Sequence, residues 1–520
     1  MQENLCPDDN WLIKFSLDKP ISSISYSGNS VKQSRSDKNI AVTISEPFID
    51  HKLLHVSASN VELETFPGNI HSTFFRIDNN TAYISNNASL LMRNGEVIKM
   101  NSFVLLQQLS ATASPLDDLF IDIKSLEAAS IYLIDKSGIK YQRSALHYIE
   151  NQTTNDAFEI IDSQFARYSQ DGNPLVVLLS GGYDSRLNLG MAMRHAYKNG
   201  NKVYAFHEFK NRKEHDVAKS IADKYSIPFT SVTRNRFEDK YKDVLLDNDF
   251  VNYNNGIVRD LVVRWGLYLG WIKADIANGT IIGLGSEAHK GKYYFKIHDL
   301  RRDSEKYLGI KIAGFDLDFC GISGADLLRS QSVFFNTLYQ RSQFLENKHS
   351  KIDFIHYHAY ATKHSGARSS YFNHFLSIPF PFLNNDFLSV VFSLPISKKV
   401  NAKLTIDFMK KTYPELLQIP FISGNAPSYE GRSSAFIKRV RSKITPNKYS
   451  KLGGVTSNIS VDGELREAFD GANSDITRQL QEIILEGGST PIKIRWNFAL
   501  LMYLYLRQLE KRLCVTFELQ

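Results

Sequence analysis

Residues 174–186 read PLVVLLSGGYDSR, an apolar run of strand length that leads into a loop with two serines, two glycines and an acid. An apolar run without alternation is typical of a strand covered on both faces, so it predicts a parallel sheet. Gly181 and Gly182 let the backbone approach a ligand closely. The helix predicted over 187–198 would direct unpaired N–H groups at that ligand, which favours an anion. Asp184 suits a phosphate only if Mg²⁺ lies between the two groups.

The complete pattern S-G-G-x-D-S behind an apolar strand is more specific than a Gly-Gly turn, which backbone geometry alone can require. It resembles the pyrophosphate-binding loop of the N-type ATP pyrophosphatases, which include asparagine synthetase, β-lactam synthetase and the lasso-peptide cyclases. It differs from the kinase and GTPase loop because no lysine follows the glycines. The resemblance implies ATP and Mg²⁺ as cofactors and cleavage between the α and β phosphates. It assigns ATP and pyrophosphate binding to Leu179, Ser180, Gly181, Gly182, Asp184 and Ser185, with Asp184 also a metal ligand.

Composition narrows the class of protein without naming a function. The 520 residues carry a formal charge of +7, with 22% charged and 43% hydrophobic residues, which is typical of a globular chain. The basic cluster at 438–443 is interpreted as a solvated helix face, so no nucleic-acid partner is expected. The three cysteines have no metal-type spacing and fit a reducing compartment. We find neither a secretory pattern nor an apolar run of membrane-spanning length, and we expect a cytoplasmic protein with no membrane partner.

We expect two domains, 1–150 and 151–520. The first is strand-rich, with short strands at 73–77 and 81–85 around an Asn-Asn turn. The order of its segments resembles the N-terminal Ntn-type glutaminase domain of asparagine synthetases, an α+β fold. Such a glutaminase uses an N-terminal cysteine as its nucleophile, but position 2 is Gln2 and Cys6 is internal. We therefore expect a degenerate domain that does not hydrolyse glutamine and serves as a scaffold or a substrate-recognition module.

The second domain is predicted to be an α/β domain with a parallel sheet, followed by a helical C-terminal part. After a helix at 158–168 and the strand already described, 203–206 reads as a second parallel strand and 214–222 as a helix. This order places a ligand at the carboxyl ends of the strands. By resemblance, the adenine lies against the backbone near Phe206. His207 and His215 are interpreted as structural or surface residues.

A second loop follows the strand predicted at 280–282 and reads GLGSEAHKGKYY over 283–294. Asparagine synthetases carry S-G-x-G-x-D-E-x-x-x-G-Y at this place. The resemblance therefore assigns Gly285 and Ser286 to pyrophosphate binding, and Glu287 to catalysis and metal binding together with Asp184. Glu287 replaces an aspartate, which keeps a carboxylate but places it one methylene further out. Taken alone, G-x-G-x-E occurs in many turns.

Two further segments resemble the synthetase family between 320 and 420, a region predicted to be mainly helical. The segment IPFPFLN at 378–384 resembles the one that shapes the acceptor pocket, with Asn384 in place of an aspartate, although a buried Pro-Phe turn explains it equally well. The segment NAKLTID at 401–407 resembles K-x-x-L-R and gives Lys403 a catalytic role in stabilising charge. A solvated helix lysine is an equally good interpretation of Lys403. A terminal helix is predicted over 494–511.

Together these resemblances imply an ATP-dependent, AMP-forming carboxylate–amine ligase of the asparagine synthetase family, with Asp184, Glu287 and Lys403 as catalytic residues. The substrate would be a small-molecule or peptide carboxylate, the donor would be ammonia or another amine, and the protein could form a homodimer. The alternative is a catalytically inactive ATP-binding scaffold of the same fold, which the departures at Glu287, Asn384 and Asp407 favour. The intact S-G-G-x-D-S loop favours the enzyme.

Overall fold

The computed structural model describes residues 10–18, 20–36, 39–46, 49–57, 60–67, 72–102, 104–105, 109, 118–170, 174–209, 211–233, 280–283, 285–290, 333, 336–358, 379–399, 402–421, 473–485 and 496–520. The basic cluster at 438–443, residues 291–294, Cys6 and Cys320 lie outside these ranges. Cys514 is exposed and not in a disulfide. Among the described residues, no helix combines the length and the apolar character needed to cross a membrane.

The strands within these ranges are β1 Leu12–Ser16, β2 Ser25–Ser27, β3 Val31–Arg35, β4 Asn39–Glu46, β5 Ile49–Ser57, β6 Val61–Glu64, β7 Thr73–Asp78, β8 Thr81–Ser85, β9 Val97–Met100, β10 Lys124–Leu126, β11 Ser130–Asp135, β12 Gly138–Ser144, β13 Leu175–Leu178, β14 Val203–Phe209, β15 Phe229–Thr233, β16 Thr280–Ile281 and β17 Thr516–Leu519. The helices are α1 Pro20–Ser23, α2 Thr154–Tyr168, α3 Tyr183–Lys198, α4 Arg212–Lys224, α5 Glu287–Lys290, α6 Lys348–His356, α7 Asn385–Ser393, α8 Ile396–Lys399, α9 Lys403–Thr412, α10 Pro414–Gln418, α11 Asp475–Leu485 and α12 Trp496–Leu513.

The strand-rich character predicted for the first 150 residues is confirmed. Two antiparallel sheets form there, ordered β10-β7-β8-β1-β2 and β12-β11-β6-β5-β4-β3. Strand β1 alternates, with Ile13 and Phe15 buried and Lys14 exposed between them, as expected for a strand with one face on a core. Apolar side chains from both sheets share that core. The predicted Asn-Asn turn joins β7 to β8, and Asn79 and Asn80 have φ of 44° and 63°, a left-handed conformation that asparagine tolerates.

The parallel sheet predicted from residues 174–179 is also confirmed. Its order is β15-β14-β13-β16, and every neighbouring pair is parallel. Val176 and Val177 point to opposite faces of β13 and are both buried, which explains why the strand reads as an uninterrupted apolar run. Helix α3 packs on β13 and helix α4 on β14.

The strand order reverses at β13. From β13 the chain proceeds outward to β14 and then β15, whereas β16 returns to pair with the other side of β13. In open α/β sheets, ligands bind outside the carboxyl ends of the strands at such a reversal. The loops that follow β13 and β16 lie side by side there, so the fold itself places residues 179–185 next to the described residues 282–283 and 285–290.

Some boundaries differ from the sequence prediction. Helix α3 begins at Tyr183 rather than at 187, because Gly182 takes the extended N-cap conformation and the helix starts directly after it. Asp184 and Ser185 therefore belong to the first helical turn. Helix α12 confirms the predicted terminal helix, but strand β17 follows it and pairs in parallel with β9. That long-range pairing was not predicted, since a four-residue strand carries little periodic signal.

Candidate functional site

The loop after β13 is ordered by its own serine hydroxyls. Ser185 Oγ donates to the carbonyl oxygen of Ser180 at 2.9 Å and lies 3.0 Å from Ser180 Oγ. The N–H of Gly182 donates to Ser180 Oγ at 3.2 Å. A serine hydroxyl can donate one hydrogen bond and accept two, so Ser180 and Ser185 can form all of these contacts at once. These contacts hold the loop in one conformation.

Backbone and histidine contacts fix the start of this loop against the neighbouring strand. The N–H of Leu179 donates to the carbonyl oxygen of Phe206 at 2.6 Å. His207 Nδ1 donates to the carbonyl oxygen of Leu179 at 2.8 Å, and burial lowers the pKa of His207. The contact supports the structural interpretation of His207. The Phe206 side chain is buried and its carbonyl oxygen is engaged by Leu179, so the contact with adenine near Phe206 stays a prediction.

The N-terminus of α3 faces the reversal point without a side-chain cap. Gly182 is the N-cap residue and supplies no side-chain hydrogen bond. The first N–H groups of a helix have no intrahelical acceptor, and the helix dipole adds partial positive charge there. An uncapped N-terminus of a 16-residue helix next to a glycine loop suits an anion such as a phosphate group.

One glycine of the second loop packs against the first loop, and another packs against residues 382–383. A Cβ on Gly283 would lie 3.0 Å from Asp184 Cβ. Gly285 has φ of +86°, and a Cβ there would lie 2.5 Å from Leu383 Cδ2 and 3.0 Å from the carbonyl oxygen of Phe382. Only glycine therefore fits at 285 unless residues 382–383 move. Ser286 is buried beside it, while Glu287 begins α5 and its side chain lies outside the described part of the structure.

Asp184 forms an ion pair across the reversal point. Its Oδ2 accepts a hydrogen bond from Lys290 Nζ at 2.5 Å, and each of the two side chains is 19% exposed. Nε2 of the buried His289 lies 3.5 Å from Oδ1. Burial alone would raise the pKa of the Asp184 carboxyl, but the positive charge of Lys290 and the His289 contact outweigh burial and hold that pKa well below its usual range. The carboxylate is therefore ionised at neutral pH.

Arg186 ties the first loop to the segment after α10. It is fully buried, and its guanidinium lies over the ring of Phe421, 4.2 Å from the centroid. Burial lowers the pKa of Arg186 to about 10, so the group stays charged at neutral pH. Its nitrogens donate at 2.6 to 3.3 Å to the carbonyl oxygens of Gly181, Leu416, Ile419 and Pro420.

The remaining predicted positions lie on neighbouring helices. Lys403 is the first residue of α9 and is exposed. Helix α9 packs against α3 and α5, so the predicted catalytic lysine lies on an element next to both loops. Asn384 Oδ1 accepts the N–H of Phe387 at 3.0 Å and caps α7, a structural role that accounts for this residue.

Sequence reasoning missed Lys290, His289 and Arg186 as members of the site. Lys290 stands in the second loop, but its pairing with Asp184 depends on β16 lying beside β13. Arg186 directly follows the S-G-G-x-D-S pattern, and an arginine there could have been noticed. Three of its four partners are backbone carbonyls more than 200 positions away, which no sequence pattern reveals.

The chain matches no protein-family model, and no curated protein matches it either. The assignment of a function therefore depends on the geometry of this site.

Proposed function

We propose that the protein is an ATP-dependent, AMP-forming ligase of the asparagine synthetase type, which joins a carboxylate to ammonia or another amine. One observation carries the proposal: the S-G-G-x-D-S loop and the uncapped N-terminus of α3 lie where the order of a parallel sheet reverses. This is the place at which such sheets bind nucleotides and other ligands.

The residues of the first loop would bind and orient the polyphosphate. The N–H groups of the first turn of α3 would face phosphate oxygens, and the hydroxyls of Ser180 and Ser185 would hold the loop in shape around them through their mutual hydrogen bond. His207 and Arg186 hold the loop in place by donating hydrogen bonds to the carbonyl oxygens of Leu179 and Gly181. A loop whose backbone is held in this way retains more of its binding free energy for positioning the reacting phosphate.

The Asp184 carboxylate is a suitable ligand for a magnesium ion that is already bound to the phosphates of ATP. Asp184 Oδ1 is buried, and its contact among the described residues is His289 Nε2 at 3.5 Å. Those residues contain no group of three or more His, Cys, Asp or Glu side chains placed to hold a metal. Mg²⁺ commonly binds through one or two carboxylates plus substrate phosphates, so Asp184 would hold it, with Glu287 as the proposed second ligand. When bound, the metal neutralises phosphate charge.

The ligase reaction then needs a carboxylate substrate and an amine near the α-phosphate. The carboxylate would displace pyrophosphate from ATP to form an acyl-adenylate, and the amine would displace AMP to form an amide. Lys403 is the proposed residue for stabilising the charge that develops on the phosphates.

The experiment is a product assay by mass spectrometry. The protein is incubated with ATP, Mg²⁺, ammonium and a panel of carboxylic acids that includes aspartate, and AMP is quantified. The double variant Ser185→Ala, Asp184→Asn removes the loop chemistry, and Ser163→Ala, on the exposed face of α2, is the matched control. We expect AMP with at least one acid from the wild type and the control, and none from the double variant.

Other products would contradict the proposal. ADP in place of AMP would indicate cleavage at the γ-phosphate and a different class of enzyme. ATP binding in calorimetry, without AMP from any acid, would favour the ATP-binding scaffold. Absence of ATP binding would contradict both the ligase and the ATP-binding scaffold.

A further inference from the structure

The ion pair between Lys290 and Asp184 poses a problem for the proposed site. Asp184 is the residue that would receive a metal ion, yet its Oδ2 already accepts a 2.5 Å hydrogen bond from the Lys290 ammonium. Both side chains are mostly buried. A divalent cation that binds this carboxylate would therefore face the positive charge of Lys290 at close range, which is unfavourable in a partly desolvated site.

An anion at the N-terminus of α3 would relieve this conflict. Asp184 is the second residue of α3, so a phosphate bound at the first-turn N–H groups lies within about one helical turn, roughly 5 Å, of its carboxylate. The lysine side chain is a compact charge on a flexible four-carbon stem. It can leave one oxygen and pair with another over that distance.

We propose that Lys290 is a pyrophosphate-binding residue that exchanges partners: it pairs with Asp184 in the empty site and with a phosphate oxygen in the loaded site. The exchange leaves Asp184 for the metal and keeps every charge paired in both states. The inference rests on the proposed function, because it needs a polyphosphate at the N-terminus of α3. It makes Lys290, rather than only the solvent-exposed Lys403, a source of positive charge at the phosphates.

This exchange predicts opposite effects on two ligands. In Lys290→Met, the metal no longer competes with the ammonium for Asp184, so a divalent cation alone should bind more tightly. Pyrophosphate should bind more weakly, because a charged donor has been removed. A purely structural lysine would weaken both ligands or neither, so opposite signs would show that the charge of Lys290 acts on both ligands.

The experiment measures the two ligands separately in the full-length protein. Mn²⁺ binding, without nucleotide, is followed by the loss of the free-ion signal in electron paramagnetic resonance. Pyrophosphate binding is measured by calorimetry with excess EDTA and again with Mg²⁺. The control is Lys219→Met, which removes a lysine that pairs with Asp223 on α4 at 2.7 Å, away from the loops. We expect Lys290→Met to bind Mn²⁺ roughly tenfold more tightly and pyrophosphate roughly tenfold more weakly, a free-energy change of about 1.4 kcal/mol each way, with the control unchanged.

A second variant protects the test from a folding defect in the first. In Asp184→Asn, Lys290 loses its carboxylate partner, so metal-free pyrophosphate should bind more tightly while Mn²⁺ binding is lost. Unchanged pyrophosphate affinity in Lys290→Met, or a loss of both ligands in a folded variant, would overturn the exchange while the proposed function stands. If the wild type binds neither pyrophosphate nor ATP, the proposed function fails, and the exchange fails with it.

Discussion

At the residue scale, Gly285 is the position where a single methyl group should do most damage. The left-handed φ of +86° costs an L-residue roughly 1–2 kcal/mol, and a Cβ would lie 2.5 Å from Leu383 and 3.0 Å from the Phe382 carbonyl oxygen. Overpacking of this kind adds about 1–3 kcal/mol. Either the second loop or residues 382–383 would have to move.

We therefore predict that Gly285→Ala lowers the free energy of unfolding by about 2–5 kcal/mol, the sum of these two effects. The measurement is urea denaturation followed by circular dichroism. Gly95→Ala separates the two causes, because Gly95 also has a positive φ, of 76°, but no atom within 4 Å of the added Cβ. Equal losses in the two variants would show that the Leu383 contact plays no part.

At the scale of elements, Arg186 connects the start of α3 to the end of α10. Among the described residues, no strand pairing joins these two segments. The carbonyl oxygens of Leu416, Ile419 and Pro420 all accept hydrogen bonds from the guanidinium of Arg186. A lysine could not replace it, because one ammonium lacks the planar fork that reaches several acceptors.

Replacing Arg186 should therefore loosen the packing of α10 on α3. We predict that Arg186→Met costs about 3–5 kcal/mol, since it leaves buried carbonyl groups without donors. Hydrogen exchange followed by mass spectrometry should show faster exchange in the peptides covering 414–421. Arg212→Met, at a side chain that is 90% exposed, should stay within about 0.5 kcal/mol of the wild type. Unchanged exchange at 414–421 would mean that the helices hold each other without Arg186.

At the scale of the whole molecule, the end of the described chain returns to the strand-rich part. Strand β17 pairs in parallel with β9, residue 517 opposite residue 98. Phe517 is buried, with its ring 6.3 Å from that of Phe120. Side chains of this region belong to the same hydrophobic core as those of the parallel sheet. The two parts are thus joined by packing as well as by sequence.

Removing the Phe517 ring should weaken the packing of β17 on the strand-rich part. We predict that Phe517→Ala lowers the free energy of unfolding by about 3–5 kcal/mol, the usual cost of removing a buried phenyl ring, and speeds hydrogen exchange of the amides in β9. Glu518→Ala, on the exposed side of the same strand, is the control. Protection of β9 that survives in Phe517→Ala would show that the strand-rich part is stable without β17.

The sequence by itself determined the parallel strand β13, the glycine loop behind it, the hairpin around Asn79-Asn80 and the helices α2, α3, α4 and α12. These features are local: each depends on the period of apolar residues or on the backbone preferences of glycine and asparagine within a few positions. The same local information predicted loops at 179–185 and 283–287 but not how they meet.

Only the tertiary structure decided which groups share the site. The return of β16 to the free side of β13 places Lys290 on Asp184, and the path of the chain after α10 brings three carbonyl oxygens to Arg186. Both contacts join residues more than 100 positions apart. No sequence pattern indicates which residue will pair with a given charged group or backbone carbonyl. Such contacts are fixed by strand order and by the need to pair buried polar groups, which act only once the chain has folded.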